Sequence, residues 1–457
     1  MMKLDDIKHI YFIGIGGIGM SALARYFHSL GIRVSGYDKT STPLTMTLEK
    51  EGMQVHYSDD INLAPKDVEA VVFTPAIPAG HTELNYYRDN GYPVLKRSDV
   101  LELISEYSFN ICVAGTHGKT TISTMVAHIL RHTGYGCNAF LGGISTNYQT
   151  NFWSNERNVC VIEADEYDRS FLKLSPDIAV ISAMDPDHLD IYGTAEEMEL
   201  AYIKFTRKIR IGGLLISRDG LTREKELVAD KHDTYHISDT NATVYAKNLI
   251  VENGSYRFEL VWRKQELGSF DLPMGGIHNV ENSIAAIGVA MHLGIELEKV
   301  KAAVADFRGV KRRFEYIDRN NEFVYVDDYA HHPEELKSLI NSVKLLYPGK
   351  QSVVIFQPHL FSRTKDLADG FAEVLDGADE VILLPIYPAR ELPVEGVNSE
   401  MILSRMKKEK KQVMGKDDLL SWITENKTSI SGKKILVTAG AGDIDQLIRP
   451  IHNILSN

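Results

Sequence analysis

The stretch Val113-Ala114-Gly115-Thr116-His117-Gly118-Lys119-Thr120-Thr121 constrains the fold of this chain more than any other part. The apolar run Ile111-Cys112-Val113 reads as a buried strand, and Ile122, Met125, Val126, Ile129 and Leu130 recur afterwards at helical spacing. A strand that turns through glycines straight into a helix is a building block of parallel α/β sheets. The same turn is a phosphate cradle. Backbone N–H groups from Gly115, Thr116, His117, Gly118 and Thr121 would face the phosphates together with the positive helix end. Lys119 would neutralise phosphate oxygens, and the Thr120 hydroxyl would ligate Mg²⁺. The usual pattern has a glycine five residues before Gly118, where this chain has Val113. A turn kept only for packing needs neither the lysine nor the hydroxyl, so nucleotide binding is the expectation.

Alternating strand and helix signals frame this centre. Near the N-terminus His9 to Ile13, Arg33 to Gly36, Ala70 to Phe73 and Pro93 to Leu95 read as strands and Ile18 to Leu30 as a helix, which predicts a parallel, doubly wound sheet. Arg97 to Phe109 reads as the link to a second domain. There, strands at Asn158 to Ile162 and Asp177 to Ala183 follow the phosphate loop. Short alternating β segments then fill Gly212 to Pro273, with a hairpin turn at Glu252-Asn253-Gly254-Ser255, and an alanine-rich helix covers Val280 to Leu293. A third alternating block begins near Asn320, with strands at Phe323 to Val326, Ser352 to Phe356, Glu380 to Leu384 and Lys434 to Thr438. The expected fold is α/β in three domains. Residues 1–107 form a Rossmann-like domain, 108–318 a central P-loop domain with a mixed sheet, and 319–457 a C-terminal Rossmann-like domain.

A formal net charge of −12 offers no basic field for nucleic acid. The N-terminal Met-Met-Lys-Leu-Asp-Asp lacks a cationic segment leading into an apolar one, and no apolar run approaches membrane-spanning length. Cys112, Cys137 and Cys160 show no paired metal spacing, and Cys112 and Cys160 fall inside predicted strands. These features predict a reduced, cytoplasmic chain without stable membrane anchoring.

Gly14-Ile15-Gly16-Gly17-Ile18-Gly19 lies between a strand and a helix, with Asp38 at the end of the next strand. This is a dinucleotide-binding fingerprint: Gly14, Gly16, Gly17 and Gly19 allow close approach to a diphosphate, and Asp38 accepts from a ribose or base. A nicotinamide dinucleotide and a nucleotide sugar would use the same cradle. In an open sheet the strand C-termini line the ligand crevice. That edge should carry Glu163-Ala164-Asp165-Glu166-Tyr167-Asp168 and Asp185-Pro186-Asp187-His188-Leu189-Asp190. Glu163 and His188 are read as Mg²⁺ ligands beside Thr120, and Glu166, Asp187 and Asp190 as solvated loop charges. Lys204, alone on a helix, is read as a solvated charge too. His278 and Asn279, with Asn282, stand at the start of the alanine-rich helix, where they would read an adenine edge or, for Asn279, cap the helix. In Lys311-Arg312-Arg313 a guanidinium is offered to phosphate, although bare basic triplets are commonly surface charge. Asp327-Asp328-Tyr329-Ala330-His331-His332-Pro333 and Phe356-Gln357-Pro358-His359-Leu360-Phe361-Ser362-Arg363 stand at successive strand C-termini, which points to a site rather than to isolated structural histidines.

In this order, Gly14-Ile-Gly-Gly-Ile-Gly, Gly115-Thr-His-Gly-Lys-Thr-Thr, Glu163-Ala-Asp-Glu, Asp187-His-Leu-Asp, His278-Asn279, Arg312-Arg313-Phe314, Asp328-Tyr-Ala-His-His-Pro and Phe356-Gln-Pro-His resemble the Mur ligases of peptidoglycan synthesis over essentially the whole chain. The resemblance implies one domain for UDP, one for ATP and one for the amino acid. It implies ATP and Mg²⁺ contacts at Lys119, Thr120, Glu163 and His188, adenine contacts at His278, Asn279 and Asn282, and further ATP contacts at Arg313 and Asp328. Amino-acid and acyl-phosphate contacts would fall on Tyr329, His331, His359 and Arg363, and Lys119, His188, Arg313, His331 and His359 would be catalytic. The implied reaction joins L-alanine to the lactyl carboxylate of UDP-N-acetylmuramate at the expense of ATP, through an acyl phosphate, in a monomer or weak dimer. Alanine-adding members usually read Phe-Gln-Pro-His-Arg, whereas Leu360 stands here at the arginine position. That leaves Arg363 as the cation for the amino-acid carboxylate and opens the choice among L-alanine, L-serine and glycine. Several relatives carry a carbamylated lysine near the place of Lys204, which the alanine-adding branch generally lacks. Ligases that recycle a preformed tripeptide usually read Phe-Glu-Pro-Arg-Ser, which Phe356-Gln-Pro-His-Leu disfavours. A nicotinamide oxidoreductase would rest on Gly14 to Gly19 and Asp38 and leave the phosphate loop without a task.

Overall fold

A computed structural model describes residues 7–167, 169–320, 323–389 and 391–456, with the side chains of all but Leu189 and Asp190. Asp168 and the Asp190 side chain, both named above in acidic loops, lie outside the described residues. The chain falls into two compact units, Met1–Lys247 with Glu259–Gly268 and Glu281–Val304, and Asn248–Phe258 with Ser269–Val280 and Ala305–Asn457.

The first unit opens with five parallel strands, β1 (His9–Ile13), β2 (Arg33–Tyr37), β3 (Gln54–His56), β4 (Ala70–Phe73) and β5 (Val94–Lys96), in the order β3-β2-β1-β4-β5. Central β1 is buried along its whole length, as a parallel strand covered on both faces requires. Three-residue, polar β3 has no apolar period and escapes a sequence reading. The presumed link at Arg97 to Phe109 is a helix, Arg97–Glu106, that runs almost directly into the next strand.

A second sheet holds β6 (Phe109–Ala114), β7 (Asn138–Ser145), β8 (Thr150–Trp153), β9 (Val159–Glu163), β10 (Ile178–Ile181), β11 (Leu214–Arg218) and β12 (Lys231–His236). The order is β12-β11-β10-β6-β9-β7-β8, parallel except for β8. Neither β7 nor β8 was anticipated: glycines at 142 and 143 and polar residues at 147–151 mask their strand signal. β13 (Val244–Glu252), β14 (Ser255–Trp262) and β15 (Gln265–Leu272) extend this sheet, and the division between the units passes through them. Asn253 and Gly254, both at positive φ, make the expected two-residue hairpin turn.

In the second unit β16 (Glu315–Arg319), β17 (Val324–Asp328), β18 (Gln351–Phe356), β19 (Glu380–Leu383), β20 (Lys411–Val413) and β21 (Lys434–Ala439) form a sheet in the order β16-β17-β21-β18-β19-β20. All neighbours are parallel except β16 and β17, so the block is Rossmann-like with one antiparallel edge. That edge strand, EYIDR, was not read from the sequence. No helix among the described residues is long and apolar enough to cross a membrane.

Within the first unit, the helix Ile18–Ser29 packs on the β7–β8 ribbon. Tyr26 meets Phe140 and Phe152 at ring distances of 5.3 and 6.1 Å. Fully buried Asn151 donates to Ile18 O at 2.5 Å and to Ser21 Oγ at 3.0 Å and accepts from Arg25, whose guanidinium also grips Glu51 at 2.8 and 2.9 Å. Asn151→Ala should therefore lower the unfolding free energy of this unit by about 1–3 kcal/mol, because it strands an Arg25 N–H in a dry interface. A urea midpoint equal to that of the parent chain would contradict this account.

Candidate functional site

The phosphate loop follows β6 directly. Gly118 sits at φ 82 just before the helix Lys119–His132, and a Cβ there would lie 2.7 Å from Asn282 Oδ1, so glycine is required on both counts. Ser182, after β10, donates to the carbonyls of His117 and Ala114, and Thr116 N–H donates to Ala183 O at 3.2 Å. The loop is thereby pinned to the neighbouring strand end. Thr120 Oγ1 donates to Glu163 Oε1 at 3.0 Å, and Gly142 N–H holds Glu163 Oε2 at 3.0 Å. His117 is exposed, whereas Thr116 and Thr121 are buried. Asn282 thus lies against the loop, on the helix Ile277–His292.

Glu166 corrects the sequence reading. It is not a solvated charge: its side chain is 1% exposed, and Oε1 accepts from Lys119 Nζ at 2.7 Å. Tyr192 OH, donating to Glu166 O at 2.6 Å, helps turn the acidic loop inward. Lys119 also donates to Gly115 O at 2.7 Å, so its ammonium is held within the loop. Burial pushes the carboxyls of both Glu163 and Glu166 above the usual range, and the Lys119 charge opposes the rise. His188, at φ 51, places Nε2 3.9 Å from Glu166 Oε1 and 3.7 Å from Asp187 Oδ2, with the Tyr167 ring edge-on at 5.2 Å. Asp187 and Lys204 are exposed, as expected.

Among the described residues no three His, Cys, Asp or Glu side chains gather as a metal cage. Mg²⁺ does not need one, since it is commonly held by one or two carboxylates, waters and substrate phosphates. The hard oxygens of Thr120 and Glu163 fit that demand, and Glu166 Oε2 is buried with no hydrogen-bond partner among the described residues.

The N-terminal glycine loop is fixed by Gly14 and Ile15 N–H groups donating to Tyr37 O at 2.8 and 3.0 Å. Gly16 N–H donates to Asp38 Oδ2 at 2.8 Å, which brings Asp38 to the loop as its spacing suggested. One of its oxygens is therefore already engaged by the protein.

In the second unit the strand ends after β17 and β18 come together. The rings of His331 and His359 are 6.2 Å apart, Tyr329 meets His331 edge-on at 5.3 Å, and Tyr387 stacks on His359 at 5.7 Å. Arg312 and Arg313 lie 5.2 and 5.5 Å from the Tyr329 ring. Arg312 pairs with buried Asp327 at 3.0 Å and donates to Gly440 O at 2.5 Å, so this residue of the basic triplet is internal. Asp328 accepts from Phe314 and Ala330 N–H groups, both at 2.7 Å, and so holds the Arg313 loop in place. Burial holds the His331 imidazole below its ordinary value, and burial with the charge of Arg363 lowers His359 to about 4. Leu360 takes φ 69 at the start of the helix Phe361–Leu375, a strained choice for a residue with a Cβ.

The helix containing His278 and Asn279 begins at Ile277, earlier than the periodicity implied, so both lie in its first turn instead of before it. Asn279 donates to Gly275 O at 2.7 Å, and His278 Nδ1 is 3.3 Å from Ser338 Oγ. The sequence reading missed Glu335, which receives His331 N–H at 2.8 Å and completes a capping box with His332. The spacing of His332 and Glu335 was the available signal.

The Lys119–Glu166 pair has a direct consequence for stability. Lys119→Met leaves a buried carboxylate unpaired and should cost about 3 kcal/mol at pH 8. Protonating Glu166 relieves the penalty, so the deficit should shrink as pH falls towards 5, and adding Glu166→Gln should recover most of it at pH 8. Thermal unfolding of the parent chain and the two variants checks this; a deficit independent of pH would refute the pairing.

Three family models match successive parts of the chain: "Mur ligase family, catalytic domain" over residues 9–108, "Mur ligase middle domain" over 113–290 and "Mur ligase, glutamate ligase domain" over 312–442. The UDP-N-acetylmuramate–L-alanine ligase of Cytophaga hutchinsonii is 46% identical over 459 residues, covering 98% of this chain and 97% of the relative. That of Porphyromonas gingivalis is 45% identical over 456 residues, covering 98% and 99%. Among solved structures, the UDP-N-acetylmuramate-alanine ligase of Thermotoga maritima superposes with a TM-score of 0.82 at 29% identity over 98% of each chain. A murein peptide ligase of Psychrobacter arcticus shares the fold with a TM-score of 0.67 at 23% identity, covering 98% of this chain and 99% of its own. With three consecutive family domains and full-length relatives at this identity, the chain belongs to the Mur ligase family.

Proposed function

We propose that this chain joins L-alanine to the lactyl carboxylate of UDP-N-acetylmuramate with hydrolysis of ATP to ADP and phosphate. The observation that carries the reading is identity above 40% with L-alanine ligases along the whole chain. The geometry supports it, because Lys119, Thr120 and Glu163 meet at the end of β6 in the unit that also holds the glycine loop. We assign the UDP moiety to Gly14, Gly16, Gly17, Gly19 and Asp38, the ATP phosphates to residues 115–121, and adenine to His278, Asn279 and Asn282. The proposed domain limits are 1–107, 108–318 and 319–457. ATP as co-substrate favours a cytoplasmic site of action, and we assign the chain as a monomer or weak dimer.

A carboxylate is a poor acyl donor and must first be activated. Its oxygen attacks the γ-phosphorus of ATP, ADP leaves, and an acyl phosphate forms. L-alanine gives up its ammonium proton to solvent, the free amine attacks the acyl carbon, and the adduct passes a second proton to the phosphate as that group departs. Lys119 and Arg313 would offset the charge that spreads over the transferred group. Thr120, Glu163 and His188 would hold Mg²⁺, which supplies positive charge to the phosphate oxygens. Arg363 would take the alanine carboxylate. The neutral imidazoles of His331 and His359 would accept hydrogen bonds from its ammonium without repelling it.

Phosphate release from ATP should appear only when UDP-N-acetylmuramate and an amino acid are both present, and L-alanine should outperform L-serine, glycine and the tripeptide. Lys119→Ala should lower that rate at least about 100-fold. Release that persists in this variant, or that prefers the tripeptide, would overturn the assignment.

A further inference from the structure

In the first unit a cavity of about 100 Å³ is lined by Ile18 and Gly19, at the start of the helix that follows the glycine loop, and by Glu163. Leu101, Phe140 and Leu141 give it apolar walls, and its charged groups are Glu163, Asp165 and Arg97. Arg97 is the one cation in this lining. It begins the helix Arg97–Glu106, and its guanidinium lies across Gly19, where a Cβ would come within 2.5 Å of Nη1. The last glycine of the fingerprint therefore makes room for this arginine. Arg97 is loosely held: its ion pair with Asp165 is 3.4 Å long, and the Asp165 side chain is 40% exposed. A tight charge-assisted contact would be about 2.7–2.9 Å. Asp165 Oδ1 is meanwhile committed to Tyr167 N–H at 3.1 Å.

Two carboxylates on an apolar wall would repel any anionic group that entered. A guanidinium free to exchange a weak internal partner for a better one reverses that preference. The cavity is lined at one side by Gly19, the last glycine of the loop that would carry the nucleotide sugar, and at another by Glu163, which accepts from Thr120 beside the phosphate loop. We propose that Arg97 binds the carboxylate of the acceptor in place of Asp165 and orients it beside Glu163 for phosphoryl transfer. The identity of the acceptor rests on the function proposed above.

The test is equilibrium titration, without ATP, of UDP-N-acetylmuramate and of UDP-N-acetylglucosamine, which keeps the nucleotide and sugar but lacks the lactyl carboxylate. Arg97→Gln should weaken the first ligand by about tenfold or more and the second by less than about twofold. Arg97→Lys should fall between, having charge but no fork. Asp165→Asn keeps the acceptor for Tyr167 N–H and removes the competing charge, so it should tighten the first ligand about threefold and leave the second alone. Equal losses for both ligands would assign Arg97 to the diphosphate and overturn the proposal, as would an unchanged preference in Arg97→Gln. A parent enzyme that ligates L-alanine while Arg97→Gln keeps its preference sinks this inference alone. A parent enzyme that neither prefers UDP-N-acetylmuramate nor turns over sinks the functional reading with it.

Discussion

β6 pairs in parallel with β9 on one side and β10 on the other, and the chemistry of the first unit hangs on that register. Val113 lies opposite Glu163, and Ala114 opposite Ile181. The phosphate loop, the acidic loop and the Ser182 turn therefore leave the sheet at one level and from one edge. A slip of one residue would turn Glu163 to the other face, because side chains alternate along a strand. Thr120 would then have no carboxylate to meet, and Ser182 could not reach the carbonyl of His117. The sheet acts as a jig that converts residues dozens of positions apart into neighbours about 3 Å apart.

Within that frame two internal cations are each matched by a buried carboxylate. Lys119 is matched by Glu166 and Arg312 by Asp327, each at hydrogen-bond distance. An unpaired charge in such places would cost several kcal/mol, so these contacts are conditions for the loops to exist in their present shape. On the proposed assignments, phosphate oxygens would take Lys119 from Glu166, and an acceptor carboxylate would take Arg97 from its looser pair with Asp165. Affinity at both places would then be a difference between two anions competing for one cation.

The second unit gathers polar side chains of a different kind at its strand ends. His331 and His359 are half-buried, and desolvation together with the charge of Arg363 holds both imidazoles below their ordinary value. Leu360 sits strained between His359 and the helix that carries Arg363, with its N–H fixed to Tyr387 O at 2.9 Å. Tyr387 thus supports both residues at this strand end, by stacking on His359 and by accepting from Leu360.

By itself the sequence determined the parts governed by short-range rules. Apolar runs marked the buried parallel strands, glycine turns followed by helical periodicity marked both nucleotide loops, and residues at strand C-termini marked Glu163, His331 and His359 as edge residues. It was silent where the signal is diffuse or arises only on contact. Short or glycine-containing strands such as β3 and β7 are held by their neighbours more than by their own propensity. Only the tertiary structure decided which carboxylates are buried. Glu166 and Asp187 look alike along the chain, yet one is enclosed against Lys119 and the other stays in solvent. It also decided that Arg97 lies across Gly19, 78 residues away in sequence. Burial and pairing depend on which elements pack together, and no local pattern encodes that.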